Sequence, residues 1–194
     1  MRAKEFLTEA LAVVKLGPQL FAPHPKKSGQ DFTVVGESFA LKPRAGRWTS
    51  SARQTADGFT SAWVDWGLTN MPNWVGSEGV LYDVAPGAKV LSMNSDQDAV
   101  EAAQQYGVEI KTTMDLFQKM PWQAIAKDYD AVHYNGKNRS GDMYMNTWDV
   151  ESTAWFNTAA LINPRPVKID RPELKKSQSE PAVKKPRYMT RRRQ

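Results

Sequence analysis

The stretch "WDVESTAWF", residues 148–156, decides how this chain is read. With the period of two expected of a strand, Trp148, Val150, Ala154 and Phe156 share one face with Ser152. Asp149, Glu151, Thr153 and Trp155 share the other. The apolar face belongs to a core strand. Two carboxylates, a hydroxyl and an indole on the opposite face fit either a solvated edge or the lining of a cleft where charge develops in a reaction.

Working outward, "YDAVHY" (129–134) predicts a short strand, and the polar "NGKNRSGDMYMN" (135–146) is the loop that joins it to the opening stretch. "SDQDAVEAAQQYG" (95–107) is the clearest helix, with Ser95 and Asp98 in capping-box-like spacing and Gly107 closing it. "TTMDLFQKM" and "PWQAIAKD" continue in helix, with Pro121 starting the second piece. "GVLYDV" (79–84) and "AKVLSMN" (88–94) read as strands joined by a Pro-Gly turn. Further upstream, "TSAWVDWGLTN" (60–70) is a short helix capped by Thr60 or Ser61. "LKPRAGRWTSS" turns into a strand over Arg47–Ser51, and "DFTVVGESF" (31–39) is the expected first core strand. Residues 17–30 read as loop. In "MRAKEFLTEALAVVKLG", Phe6, Leu7, Ala10, Leu11, Val14 and Leu16 recur at helical spacing between charges, which predicts an amphipathic helix and not a signal peptide.

Composition bounds the function. The chain has 194 residues, enough for one domain of usual size, and its seven Trp all lie between positions 48 and 155. It has no Cys, which excludes a disulfide scaffold and a thiolate metal site. The only two His, His24 and His133, are far apart, which argues against a His-based metal site. The net charge of +5 is unevenly spread. Residues 164–194 hold eleven Lys and Arg against three acids, and the rest of the chain holds fifteen against eighteen. The body is mildly acidic and the tail strongly basic, so affinity for a polyanion is expected from the tail. Lys184, Lys185, Arg187, Arg191, Arg192 and Arg193 are its candidate contacts with nucleic acid, an acidic protein surface or a neighbour in an assembly. With no stretch near the roughly 20 apolar residues of a membrane span, the sequence predicts a soluble, cytoplasmic protein. The predicted organisation is an N-terminal helix and loop (1–30), an α+β body (31–163) and an extended or disordered basic tail (164–194).

No Gly-x-Gly-x-x-Gly or Gly-Lys-Ser/Thr loop is present, so neither a Rossmann nor a P-loop reading is open. The order of elements instead resembles the ADP-ribosyltransferase fold, in which NAD lies in a cleft between two small sheets. Thr49, Ser50 and Ser51 stand where the arginine-serine-glutamate branch carries its Ser-Thr-Ser-like element, and a helix follows them. "ESTAWFNTAALI" resembles the glutamate-led strand, with Asp149 and Glu151 in its two acidic positions. The resemblance implies a split-sheet α+β body that consumes NAD as a substrate and needs no metal. Glu151 would stabilise positive charge on the ribose, and Asp149 would orient or deprotonate an acceptor. Thr49, Ser50 and Ser51 would hold the sugar or the glutamate. Trp48, Tyr134 or Trp155 would stack on nicotinamide, and Arg47 would contact NAD. The family places an Arg or His on its first core strand; residues 31–39 carry neither, and Arg44 and Arg47 are the nearest cations. Such domains occur as bacterial or phage effectors, which implies host cytoplasm or a virion as the setting. The competing reading is a non-catalytic structural or packaging-associated phage-type protein that docks to DNA or a virion partner through its tail.

Overall fold

The computed structural model describes residues 11–23, 43, 46–137 and 141–171. These form a mixed α+β structure. Its main sheet has eight strands: β1 (Val13–Val14), β2 (Gln19–Phe21), β3 (Arg47–Ser51), β6 (Glu78–Val84), β7 (Val90–Ser92), β8 (Ala131–Tyr134), β9 (Ser152–Trp155) and β10 (Leu161–Lys168). Their order is β1-β7-β8-β9-β3-β2-β6-β10. The short strands β4 (Arg53–Gln54) and β5 (Phe59–Thr60) pair separately. The helices are α1 (Ala62–Asn70), α2 (Asp96–Gln105), α3 (Thr113–Lys119) and α4 (Trp122–Asp128). No helix among the described residues is long and apolar enough to cross a membrane.

Pairing within the main sheet is antiparallel except for β7 with β8. A parallel pair needs a long crossover, and α2, α3 and α4 supply it. Their starts are encoded locally. The Ser95 hydroxyl accepts from Asp98 N–H, and Thr112 and Asp115 form a reciprocal capping box. The Asp98 carboxylate bonds one residue further back, accepting from Asn94 N–H at 2.6 Å. The three helices bury Ala99, Ala102, Leu116, Trp122 and Ile125 against Leu91, Val132, Tyr134 and Ala154 of the sheet. A second core contains Tyr82 and Leu161 from one end of the sheet with Val90, Ala131 and Trp155 from the other. The sheet therefore turns back on itself. The turn lies in β3: Arg47, Trp48 and Thr49 pair with β9, whereas Ser50 and Ser51 pair with β2. Helix α1 packs Val64 with Leu20, Val75 and Ile169 in a third cluster beside this hand-over.

Several expectations change. Residues 11–16 contain no helix; Val13 and Val14 pair with Leu91 and Val90. Gln19–Phe21, expected as loop, is an interior strand of the sheet, between β3 and β6. The strands on either side of the Pro86-Gly87 turn form as expected, but they do not pair with each other: β6 pairs with β2 and β10, and β7 with β1 and β8. The basic segment expected to begin at 164 first completes β10, and Ile169, 1 % exposed, is part of the third core cluster. The expected strand at 31–39, the first ten residues, Arg44, His24 and the tail cations from Lys184 to Arg193 lie outside the described residues.

Candidate functional site: the Glu151 clamp

The opening stretch is a strand only from Ser152 to Trp155. Met145–Trp148 forms a 3-10 turn, and Asp149 has a φ of 61°. Asp149 is thus exposed on a turn and does not share with Glu151 the strand face that alternation predicts. Within β9 alternation does hold: Ala154 enters the helix-covered core and Trp155 the second core. Both faces of β9 are buried. The sheet folding over at β3 encloses the face that its polar residues marked as a cleft lining.

Glu151 sits where this strand ends. The β3–β9 register pairs Thr49 with Thr153, so two residues further along Ser51 would face Glu151. The ladder stops before that rung, and the Glu151 side chain takes the backbone's place. Its carboxylate accepts from Ser51 N–H at 3.0–3.1 Å and from Ser51 Oγ at 3.0 Å. The Ser50 hydroxyl lies within reach of Glu151 Oε2 and of the Glu151 carbonyl at 2.9 Å; its single proton serves one at a time. Ser50 Oγ also accepts from Trp63 N–H in the first turn of α1, at 3.4 Å. The positive end of that helix, whose N-cap is Ser61, therefore reaches the carboxylate through the Ser50 hydroxyl. Gly136, at φ +74°, backs the site. A Cβ there would meet Glu151 N at 2.6 Å, so the turn after β8 requires glycine.

His133 stands beside the clamp. Its Nδ1 is 2.9 Å from Thr153 Oγ1 and 3.6 Å from Glu151 Oε1. Burial holds its pKa below the usual histidine value, and the Glu151 charge opposes that shift. At neutral pH the ring is uncharged, so the contact is dipolar rather than an ion pair. The clamp keeps some access to solvent: the Glu151 side chain is 15 % exposed and His133 9 %.

The other expected ligand contacts fall elsewhere. Trp155 is fully buried, and its Nε1 donates to Thr49 Oγ1 at 2.7 Å. Thr49 in turn donates to Gln19 Oε1 at 2.8 Å. Tyr134 is fully buried in the helix-side core. Trp155, Tyr134 and Thr49 are therefore closed off from a ligand, because burying both faces of these strands consumed the side chains marked for stacking and sugar binding. Trp48 packs on Trp148 with ring centroids 5.0 Å apart. The Arg47 guanidinium bonds the Tyr82 hydroxyl and lies over the Phe21 and Tyr82 rings, at 5.1 and 5.2 Å. Of the expected set, the fold brings Glu151, Ser50 and Ser51 together and sends the rest into packing or onto the turn.

Gln19 and His133 belong to the same buried polar strip, and neither is marked as a site residue by sequence pattern. Gln19 reads as loop, yet it is fully buried and touches both Thr49 and Ser51. His133 in mid-strand reads as a packed histidine; only the β8–β9 register, which pairs it with Thr153, puts it near Glu151. Comparison of the chain with protein-family models, curated proteins and solved structures finds no match.

Proposed function

We propose that this chain cleaves NAD at the bond between ribose and nicotinamide, passing ADP-ribose to a macromolecular acceptor or to water, with Glu151 as the working carboxylate. The supporting observation is the clamp, a partly exposed carboxylate held by the Ser50 and Ser51 hydroxyls and the Ser51 N–H. Two of its donors are hydroxyls that can rotate towards sugar hydroxyls when a ligand arrives. As the C1′–N bond breaks, its electron pair leaves with nicotinamide and positive charge develops on the ribose, as in glycoside hydrolysis. An ionised carboxylate preorganised in a site poor in water stabilises that charge. The acceptor's nucleophile then bonds C1′ and loses its proton, a step in which exposed Asp149 is placed two residues from Glu151 to help.

The test is nicotinamide release from NAD by the full chain, with and without host lysate. Glu151→Gln is expected to lower release about 10²–10³-fold, the usual loss for one preorganised electrostatic contact. Equal release by the variant, or none by the wild type with no NAD binding, rejects the proposal.

One observation favours a second reading. The clamp donors already engage both Glu151 oxygens, and Trp155, Tyr134 and Thr49 are closed within the core. That arrangement suits a carboxylate that fastens β3 to the turn before β9 in a non-catalytic, packaging-associated protein docking to DNA or a virion partner through its basic tail. Because β10 uses residues up to Lys168, the deletion that tests this reading should start after Arg171. Loss of salt-dependent polyanion binding on that deletion, with no effect of Glu151→Gln, supports it.

A further inference from the structure

We propose that His133 is a positioning residue for Glu151: the neutral ring, anchored on Thr153, walls the carboxylate into the Ser50–Ser51 clamp, and a proton on Nδ1 draws it out. The geometry carries this. Nδ1 faces two oxygens, Thr153 Oγ1 at 2.9 Å and Glu151 Oε1 at 3.6 Å. We assign the proton of the neutral ring to Nε2, so that the Thr153 hydroxyl donates to Nδ1 and Glu151 depends on the serine donors alone. Once Nδ1 is protonated it must donate, and the better acceptor is the carboxylate, since a charge-assisted bond is roughly twice as strong as a neutral one. The carboxylate then has two competing sets of donors, so its place depends on the charge of His133.

The surroundings leave little else to act on this ring. Its register partners are Ser92 on β7 and Thr153 on β9, neither of which titrates in this range. Glu151 is the charged group whose field reaches it among the described residues. Burial disfavours the charged ring, which sets the transition on the acid side of neutrality. The rate consequence alone rests on the NAD reading: an acid-displaced Glu151 no longer faces the ribose, and release falls as His133 protonates.

The test is an NMR titration of the isotope-labelled full chain, following the His133 ring and the Ser51 amide, whose proton is hydrogen-bonded to Glu151. His24→Gln assigns the two ring signals. The expected result is that the Ser51 amide shifts with the same midpoint as His133 and that this step is missing in His133→Asn. In Glu151→Gln the ring should titrate at lower pH, because the negative charge that favours the imidazolium is gone. A Ser51 amide unmoved while His133 titrates in the wild type overturns the proposal, and this arm needs no variant to fold. A ring midpoint unchanged in Glu151→Gln overturns it as well. If the coupling is found but the wild type releases no nicotinamide, the positioning role stands and the enzymatic reading falls.

Discussion

Asp96 and Glu151 are two carboxylates that each gather three or more donors, and their donors differ in kind. Asp96, at the start of α2, accepts from Met143, Tyr144 and Met145 N–H at 2.8–3.1 Å. Its donors are all backbone amides, fixed in direction, and they pin the segment that leads to the 3-10 turn before Glu151. Glu151 takes one amide and two hydroxyls, at the point where a strand ladder runs out. Fixed donors give rigidity, whereas rotatable ones leave a carboxylate able to exchange partners with a ligand. Bond counts alone would rank the two alike; the freedom of the donors is what distinguishes them.

That contrast can be broken experimentally. Asp96→Ala should be the most damaging change, since three amides lose their acceptor together. A loss of about 3 kcal/mol or more in denaturant-induced unfolding is expected, with an unchanged m-value. Gly136→Ala should follow at about 2 kcal/mol or more, from the left-handed φ and the approach to Glu151 N, and should also shift the Ser51 amide signal. Glu151→Gln keeps one oxygen for the Ser51 N–H and should destabilise by only about 1 kcal/mol. A loss as large as that of Asp96→Ala would make both carboxylates fastenings.

Acid sharpens the comparison further. Because the folded state holds His133 below its ordinary value of 6.5, the unfolded chain binds the extra proton first as pH falls. Its contribution to stability is thus fully present above about pH 6.5 and is lost as pH falls through the folded-state value. His133→Asn should remove that slope from the stability-versus-pH curve. The smallest effect is expected at Tyr144, which is fully buried and whose hydroxyl finds no hydrogen-bond partner among the described residues. Tyr144→Phe should leave stability within about 1 kcal/mol of wild type, or raise it.

Local signals in the sequence carried much of the architecture. Caps and apolar spacing placed α1 and α2 at their Ser61 and Ser95 starts. β-Branched and aromatic composition placed β8, and the hydroxyl-rich run placed β3. What sequence could not place depended on contacts made at a distance. "QLF" between Pro18 and Pro23 has every local mark of a loop, and it is a strand because β3 and β6 flank it on both sides. The segment after 163 looks too polar to fold alone, yet the long edge of β6 supplies hydrogen bonds for it.

The site divides in the same way. Sequence by itself marked Glu151, Ser50 and Ser51 as a polar set, because acids and hydroxyls beside strand-forming residues are visible without a fold, and the structure brings these three into contact. Tertiary structure alone decided which of their neighbours remain accessible. Alternation names two faces of a strand, but it cannot say that helices will cover one and that the sheet will turn back at β3 and bury the other. That closure took Trp155 and Thr49 into the interior and brought His133 and Gln19 to the clamp, while the helices covered Tyr134. Period-two patterning records which side chains share a face; what covers that face is set by register and by strands roughly a hundred residues away.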